Sequence, residues 1–315
     1  TYANTTIAMS TEKQNMPTNN ITRTDTQILA MLLKDQTHSQ GGKTENLVWA
    51  TADYGFPPDS PITPIHFTGD NKASIQPRVY KHPSIQASRS KSRAEVFTPA
   101  WLCNHQNNLI DEQWFGQSDV FNTITTLPDG THSWQPTQKP IEFPEGKTWK
   151  QYIRCRRMEV TCGEAPYIAS RYDTTTGEPI DLNRRIGMFD RKMRIINENT
   201  PSEPTKNNKR HWLRKAYQAL QAIYGFDLQG DNVFLSRETL FSSFCEYYQN
   251  RWQQMPHHRA MMKAAEIISW NIWQMDGTNG TRPGTNEPCI IMEWHGTEPL
   301  RGKTVVFKQL TNKKK

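Results

Sequence analysis

Three acidic residues stand where a short apolar run gives way to turn residues: Glu159 before Gly163, Asp227 after Tyr224-Gly225-Phe226, and Asp276 before Gly277. In open α/β sheets, ligands sit at the carboxyl ends of the strands, where loops bring backbone amides and carboxylates together. A carboxylate placed there accepts charge-assisted hydrogen bonds of roughly 1.5–3 kcal/mol each. Glu159 is the type of residue that accepts from a cationic amino group. Asp227 can accept from both hydroxyls of a ribose, and Asp276 from the exocyclic amine of an adenine. Gly163 permits the tight turn and close backbone approach that a bound small molecule requires. Each feature alone is also what an ordinary turn uses, Asp276-Gly277 above all. Their order along the chain carries the argument.

The elements that must position them are strands and helices in alternation. The spacing predicts strands at 158–162 (MEVTC), at 225–230 (GFDLQG, with its exit turn) and at 268–276 (ISWNIWQMD). Between the first two, residues 172–205 read as dense turn and charged sequence, followed by an amphipathic helix over 211–224 with Gly225 as its stop. Ser236 is expected to cap a helix running to about Trp252, and 261–268 forms another. Helices separating short apolar strands indicate the α/β class with a mostly parallel sheet. Upstream, 25–34 reads as a short amphipathic helix, 47–51 (LVWAT) as a strand and 54–83 as loop. Thr98 and Pro99 fit the N-cap and first position of a helix, and 116–150 reads as a turn-rich insertion. Residues 1–23 are polar and aperiodic, the composition of a flexible leader.

The chain has 315 residues, a net charge of +7 and 32 aromatic residues, which argues for a folded body despite an apolar fraction of only 35%. The mean hydropathy is -0.79 and the isoelectric point about 9.1, a balance that favours a polyanionic partner. Five cysteines without a CxxC pair fit reduced thiols. No zinc-ligand spacing links His257 and His258 to Cys245 or Cys289, so no metal is expected. With no apolar run of about 20 residues and no signal-peptide core, a soluble cytoplasmic protein without membrane attachment is expected.

Taken together, these segments resemble the S-adenosylmethionine-dependent DNA adenine-N6 methyltransferases, in particular those known as restriction endonuclease subunit M. The resemblance runs from about Ile28 to the C-terminus. AEVFTPAWL (94–102) is similar to the family's FTP segment, which closes over the methionine end of the cofactor and here implicates Phe97, Thr98 and Pro99. Residues 159–165 align with the family's D-P-A-C-G-S-G loop, placing Glu159 at the acidic position and matching Cys162 and Gly163. The resemblance puts the ribose on Asp227, likens SRETL (236–240) to A-R-x-N-L, and sets Met275-Asp276-Gly277 beside the adenine ring. Two departures stand out. Ala165 occupies the place of the last glycine, where a methyl narrows the turn, and no Asn-Pro-Pro-Tyr or Asp-Pro-Pro-Tyr occurs in the chain. That tetrapeptide supplies the acceptors for the amine hydrogens and the ring that stacks on a flipped adenine. Asn286-Glu287-Pro288-Cys289 is its nearest counterpart, with Asn286 as the candidate catalytic residue, although Cys289 cannot stack.

The resemblance therefore implies a Rossmann-like methyltransferase fold over 94–315, truncated before the catalytic motif, with an N-terminal extension over 24–93. It implies S-adenosylmethionine as cofactor, with double-stranded DNA and other restriction–modification subunits as partners. The alternative is a non-catalytic DNA-binding or assembly subunit that keeps the fold. No residue cluster supports a nuclease centre.

Overall fold

A computed structural model describes residues 21–39, 41–68, 75–93 and 95–311. The sequence predicts a leader to residue 23, of which residues 1–20 lie outside the described residues. The remainder is ordered: Ile21–Thr24 form helix α1, continued by α2 (Thr26–Leu33). Thr22 is buried and donates to Glu238, and Arg23 grips both oxygens of the same carboxylate at 2.8 and 2.7 Å. The polar look of this segment reflects a partner more than 200 residues away. Asp25 caps α2 by accepting from the amides of Gln27 and Ile28, and Ile28, Leu29, Leu32 and Leu33 face the core.

The strand expected at 47–51 does not form. Val48 makes an isolated bridge to Pro61, and its amide and carbonyl are satisfied by the side-chain amide of Gln274 at 2.9 and 2.8 Å. The segment also crosses tightly over the start of a long helix, where Gly230 leaves no room for a side chain. A Cβ on Gly230 would lie 2.0 Å from the Val48 carbonyl oxygen. Gly230→Ala is accordingly expected to lower stability by about 3 kcal/mol. Urea unfolding should show this as a lower midpoint at unchanged slope.

Helix α3 (Pro83–Arg93) follows, then α4 (Ala100–Phe115). The cap of α4 is Pro99 rather than Thr98, and the first amide of the helix, Ala100, donates instead to Asp173 Oδ2 at 2.8 Å. The expected insertion contains an antiparallel hairpin, β1 (Asn122–Thr126) with β2 (His132–Pro136). Helix α5 (Trp149–Arg154) leads into β3 (Arg157–Val160). The stretch read as turns then yields a largely buried helix, α6 (Met188–Glu198). Its charged residues face inward because they are paired there. Arg191 meets Asp111 at 2.6 Å, and Lys192 donates to the carbonyls of Ile153 and Cys155.

Helix α7 (Lys206–Leu220) ends before Gly225, which is not a helix stop but the centre of β4 (Ile223–Asp227). A Cβ there would sit 3.3 Å from the Cys162 sulfur, so the glycine serves close packing beneath the loop that follows β3. Helix α8 (Gly230–Trp252) starts six residues ahead of the expected cap, leaving Ser236 buried mid-helix. Helix α9 (His258–Asn271) passes directly into β5 (Ile272–Gln274). The protein is thus mixed α/β, with a central sheet in the order β3-β4-β5 and all three strands parallel. Beyond it lie the hairpin β6 (Ile290–Thr297) with β7 (Leu300–Val306) and a final turn, α10 (Phe307–Thr311).

One apolar core joins Ile28, Leu32 and Trp49 to Phe189, Trp212, Phe234 and Ile268. Tyr247, Tyr248, Trp252 and Trp273 are buried, as a packing role requires. Arg237 fastens α2 to the sheet: fully buried, it donates to the carbonyls of Leu32, Lys34, Ser269 and Ile272. No described helix is long and apolar enough to cross a membrane.

Candidate functional site at the strand ends

Parallel strands in register bring their carboxyl ends to one edge, with Val160 opposite Phe226 and Asp227 opposite Gln274. Over that edge lies a cavity of about 920 Å³, a volume suited to a cofactor-sized molecule. Of the residues expected from the sequence, Phe97, Thr98, Glu159, Cys162, Gly163, Asp227 and Asp276 line it. Pro99 does not; it sits next to Thr98 as the cap of α4. Asn286 is not brought to the cavity at all, lying exposed in the loop before β6. The end of that loop is fixed by Cys289, which is buried with Trp273 and Met275.

The floor is the loop leaving β3. Thr161, Gly163 and Ala165 alternate in the left-handed region, at φ of 50°, 52° and 63°. This geometry is costly for threonine and alanine but turns the Gly163 amide toward the neighbouring strand. Asp227 Oδ2 accepts that amide at 3.0 Å, and its Oδ1 accepts the Gln229 amide at 2.9 Å. The carboxylate therefore ties two strand-end loops together and keeps lone-pair capacity toward the cavity. Ala165 is fully buried and does not line the cavity, so its methyl leaves the space open. Phe97 covers the floor, its ring 3.6 Å from where a Gly163 Cβ would be.

The electrostatics are one-sided. Glu95, Glu159, Asp227 and Asp276 line the cavity, and no lysine, arginine or histidine does so among the described residues. Glu159 is 9% exposed, and its Oε2 has no hydrogen-bond partner. Burial, assisted by the nearby Asp227, pushes its carboxyl well above the usual range, while backbone hydrogen bonds from Tyr167 and Ile168 act the other way. Burial likewise pushes Asp227 up to about 6, against the pull of the Gln229 and Gly163 amides. Asn232, on the first turn of α8, adds a second unpartnered acceptor, its Oδ1. Asp276 is different. Its oxygens already accept from Thr278 and Asn279, which holds it below the usual range, so it shapes its own turn at the cavity mouth.

The wall opposite the sheet is built from residues the sequence reading did not select. Arg89, 1% exposed, donates to Glu95 at 2.7 Å and Asp231 at 2.8 Å, and also to Gln229. Lys81 and the Tyr54 hydroxyl reach the same Asp231 oxygen at 3.0 and 2.7 Å. Glu164 accepts from the Arg78 amide and the Tyr172 hydroxyl, and burial pushes it up to about 7. The bonds to Gln229 and Asp231 clamp Lys81, Arg89 and Glu95 onto the start of α8. Asp231-Asn232 four residues after a strand end was the available signal, hidden because the helix was expected to begin at Ser236.

A raised carboxyl pKa has a definite consequence. Asp227 and Glu164 hold protons in the folded state at pH values where the unfolded chain has lost them. Their contribution to stability is complete below about pH 4 and is lost as the pH rises through about 6 and 7. Thermal melts of the ligand-free chain should show these groups lowering Tm over that interval, an effect a bound cation offsets.

No family model, curated protein or solved structure matches this chain. The site must be judged on its own chemistry. Among the described residues no group of three or more His, Cys, Asp or Glu is placed to hold a metal ion.

Proposed function

We propose that the chain binds S-adenosylmethionine in this cavity, within the cofactor-binding half of a Rossmann-like methyltransferase fold, and serves methylation of adenine N6 in DNA. The observation that carries the reading is the lining: at the carboxyl ends of parallel strands Glu159 and Asp227 present carboxyl oxygens with no cationic side chain beside them among the described residues that line the cavity. Carboxyl oxygens with no cation beside them suit a ligand that brings its own positive charge, such as a sulfonium with an ammonium group, better than they suit a phosphate. Glu159, with its unpartnered oxygen, receives the ammonium end. Asp227 accepts from ribose hydroxyls, and Phe226 and Leu228 offer apolar surface for the adenine ring. Phe97 and Thr98 exclude water from above. When bound, the cofactor supplies an electrophilic methyl group. The choice of adenine in DNA as acceptor rests on the resemblance of 94–102, 159–165, 227 and 275–277 to the adenine methyltransferases, and restriction–modification subunits enter as partners on the same ground.

A second reading is favoured by one observation. Asn286, the one residue resembling the family's catalytic asparagine, is exposed and away from the cavity. In that reading the chain is a non-catalytic DNA-binding or assembly subunit that keeps the fold and leaves the acceptor chemistry to a partner. Incubation with methyl-labelled cofactor and adenine-containing duplex separates the two. Label in the DNA supports catalysis by this chain and refutes the subunit reading; cofactor binding without label supports the subunit reading; absence of cofactor binding refutes the first reading and leaves the second.

A further inference from the structure

Helices α5, α7 and α9 together carry nine lysines and arginines, and none of the three helices contributes to the cavity at the strand ends. Arg210, Arg214, Arg259 and Lys263 line a separate cleft of about 830 Å³ beside the turn joining β6 and β7. Glu298 offsets two of them, pairing with Arg210 at 3.5 Å and Lys263 at 3.1 Å. Arg214 and Arg259 make no ion pair among the described residues, and both are exposed. From Arg214 the positive surface continues to Lys215, Lys150 and Arg154, which also lack acidic partners among the described residues. The ammonium groups of Lys150 and Lys215 lie 5.7 and 5.5 Å from the Trp149 ring centroid. Like charges are therefore gathered here without counterions, and Lys215 is held below its usual range by burial and by Lys150, Arg154 and Arg214.

We propose that this cleft and the adjoining face of α5 and α7 bind the phosphate backbone of a nucleic acid. Linear polyanions suit a run of unpaired cations, because each phosphate contact releases condensed counterions. An anionic membrane suits the surface less. Membrane-surface binding relies on apolar side chains that insert, and the exposed large apolar residues, such as Val96, Leu109 and Met158, lie elsewhere. The assignment stands apart from the cofactor reading, since cavity and cleft share no residue.

The test is fluorescence anisotropy of the full chain with a labelled duplex at several salt concentrations, using Arg214→Ala/Arg259→Ala and Lys150→Ala/Lys215→Ala. Arg214, Arg259 and Lys150 are exposed and Lys215 is half-buried, and unchanged melting curves establish that the variants fold. Each double variant should weaken binding about tenfold or more at moderate salt and reduce the slope of log K against log salt by about 2, near 0.9 per lost contact. Duplex DNA and duplex RNA of the same sequence separate the two sources of that backbone, and binding of either with these losses supports the assignment. Unchanged affinity and slope in both variants overturns it, as does binding to phosphatidylserine vesicles in place of nucleic acid. Titration with S-adenosylmethionine should be unaffected by either variant, so its outcome reads the cavity alone.

Discussion

Glu159→Gln is expected to make the ligand-free protein more stable while depriving it of its ligand. The carboxyl is buried, its Oε2 lacks a partner, and Asp227 stands close enough to raise its pKa further. Glutamine keeps the shape and the oxygen that accepts from Tyr167 and Ile168, and it removes the need to bury or protonate an acid. The gain should be about 2 kcal/mol near neutral pH, the scale of a carboxyl that must take up a proton the unfolded chain releases. Because the folded-state pKa of Glu159 is raised, the wild-type penalty is absent at a pH below the unfolded value of 4.5 and grows as the pH climbs. The variant's advantage should therefore vanish in acid. Binding of a cationic ligand should fall at least tenfold, since a charge-assisted hydrogen bond is lost. Thermal melts across pH check the first part. A variant that is less stable than wild type at neutral pH would show that Glu159 has a structural partner and is not a waiting acceptor.

The second large effect lies in the wall. Asp231→Ala should cost about 3–5 kcal/mol, the usual result of removing one member of a buried ion-pair network. Asp231 is fully buried, and its loss leaves the ammonium of Lys81 without a carboxylate and Arg89 with only Glu95 and the more distant Asp53. Lys81 and Arg89 hold the Asp231 carboxyl well below the usual range, although burial alone would raise it. Its contribution is thus present at neutral pH and lost only in strong acid. The same substitution should weaken ligand binding, because Arg89 also holds Glu95, which leads into Phe97 and Thr98. Denaturant unfolding with a loss below about 1 kcal/mol would mean that this network contributes little beyond solvent-exposed pairs.

The parts of this protein legible in its sequence were those governed by local pattern. The apolar runs at 158–162 and 268–276 each contain a strand of the sheet, though only 157–160 and 272–274 form it. Glu159, Gly163, Asp227 and Asp276, chosen for their chemistry, line one cavity because strand ends in a parallel sheet converge, and Phe97, Thr98 and Cys162, chosen from the resemblance, line it with them. What local pattern missed was set by distant partners. Helix α6 looks like charged turn sequence, yet its Asp190, Arg191 and Lys192 are satisfied inside the fold by Ser170, Asp111 and backbone carbonyls. The 47–51 segment has the composition of a strand, but its bonding partner is the side chain of Gln274. Ser236 has the chemistry of a cap but serves mid-helix as a donor to the Gly163 carbonyl. Asp276 looks like a ligand-facing acid and is largely consumed by its own turn.

The central claim is a cationic cofactor held at the ends of β3 and β4. Calorimetric titration of the purified chain with S-adenosylmethionine, beside Asp227→Ala shown to be folded by its melting curve, tests it most directly. The account predicts binding to the wild type, strengthening as the pH rises through about 6 and Asp227 ionises, and a loss of about 10- to 100-fold in the variant. Absence of binding by the wild type, or equal affinity in the two proteins, would contradict it.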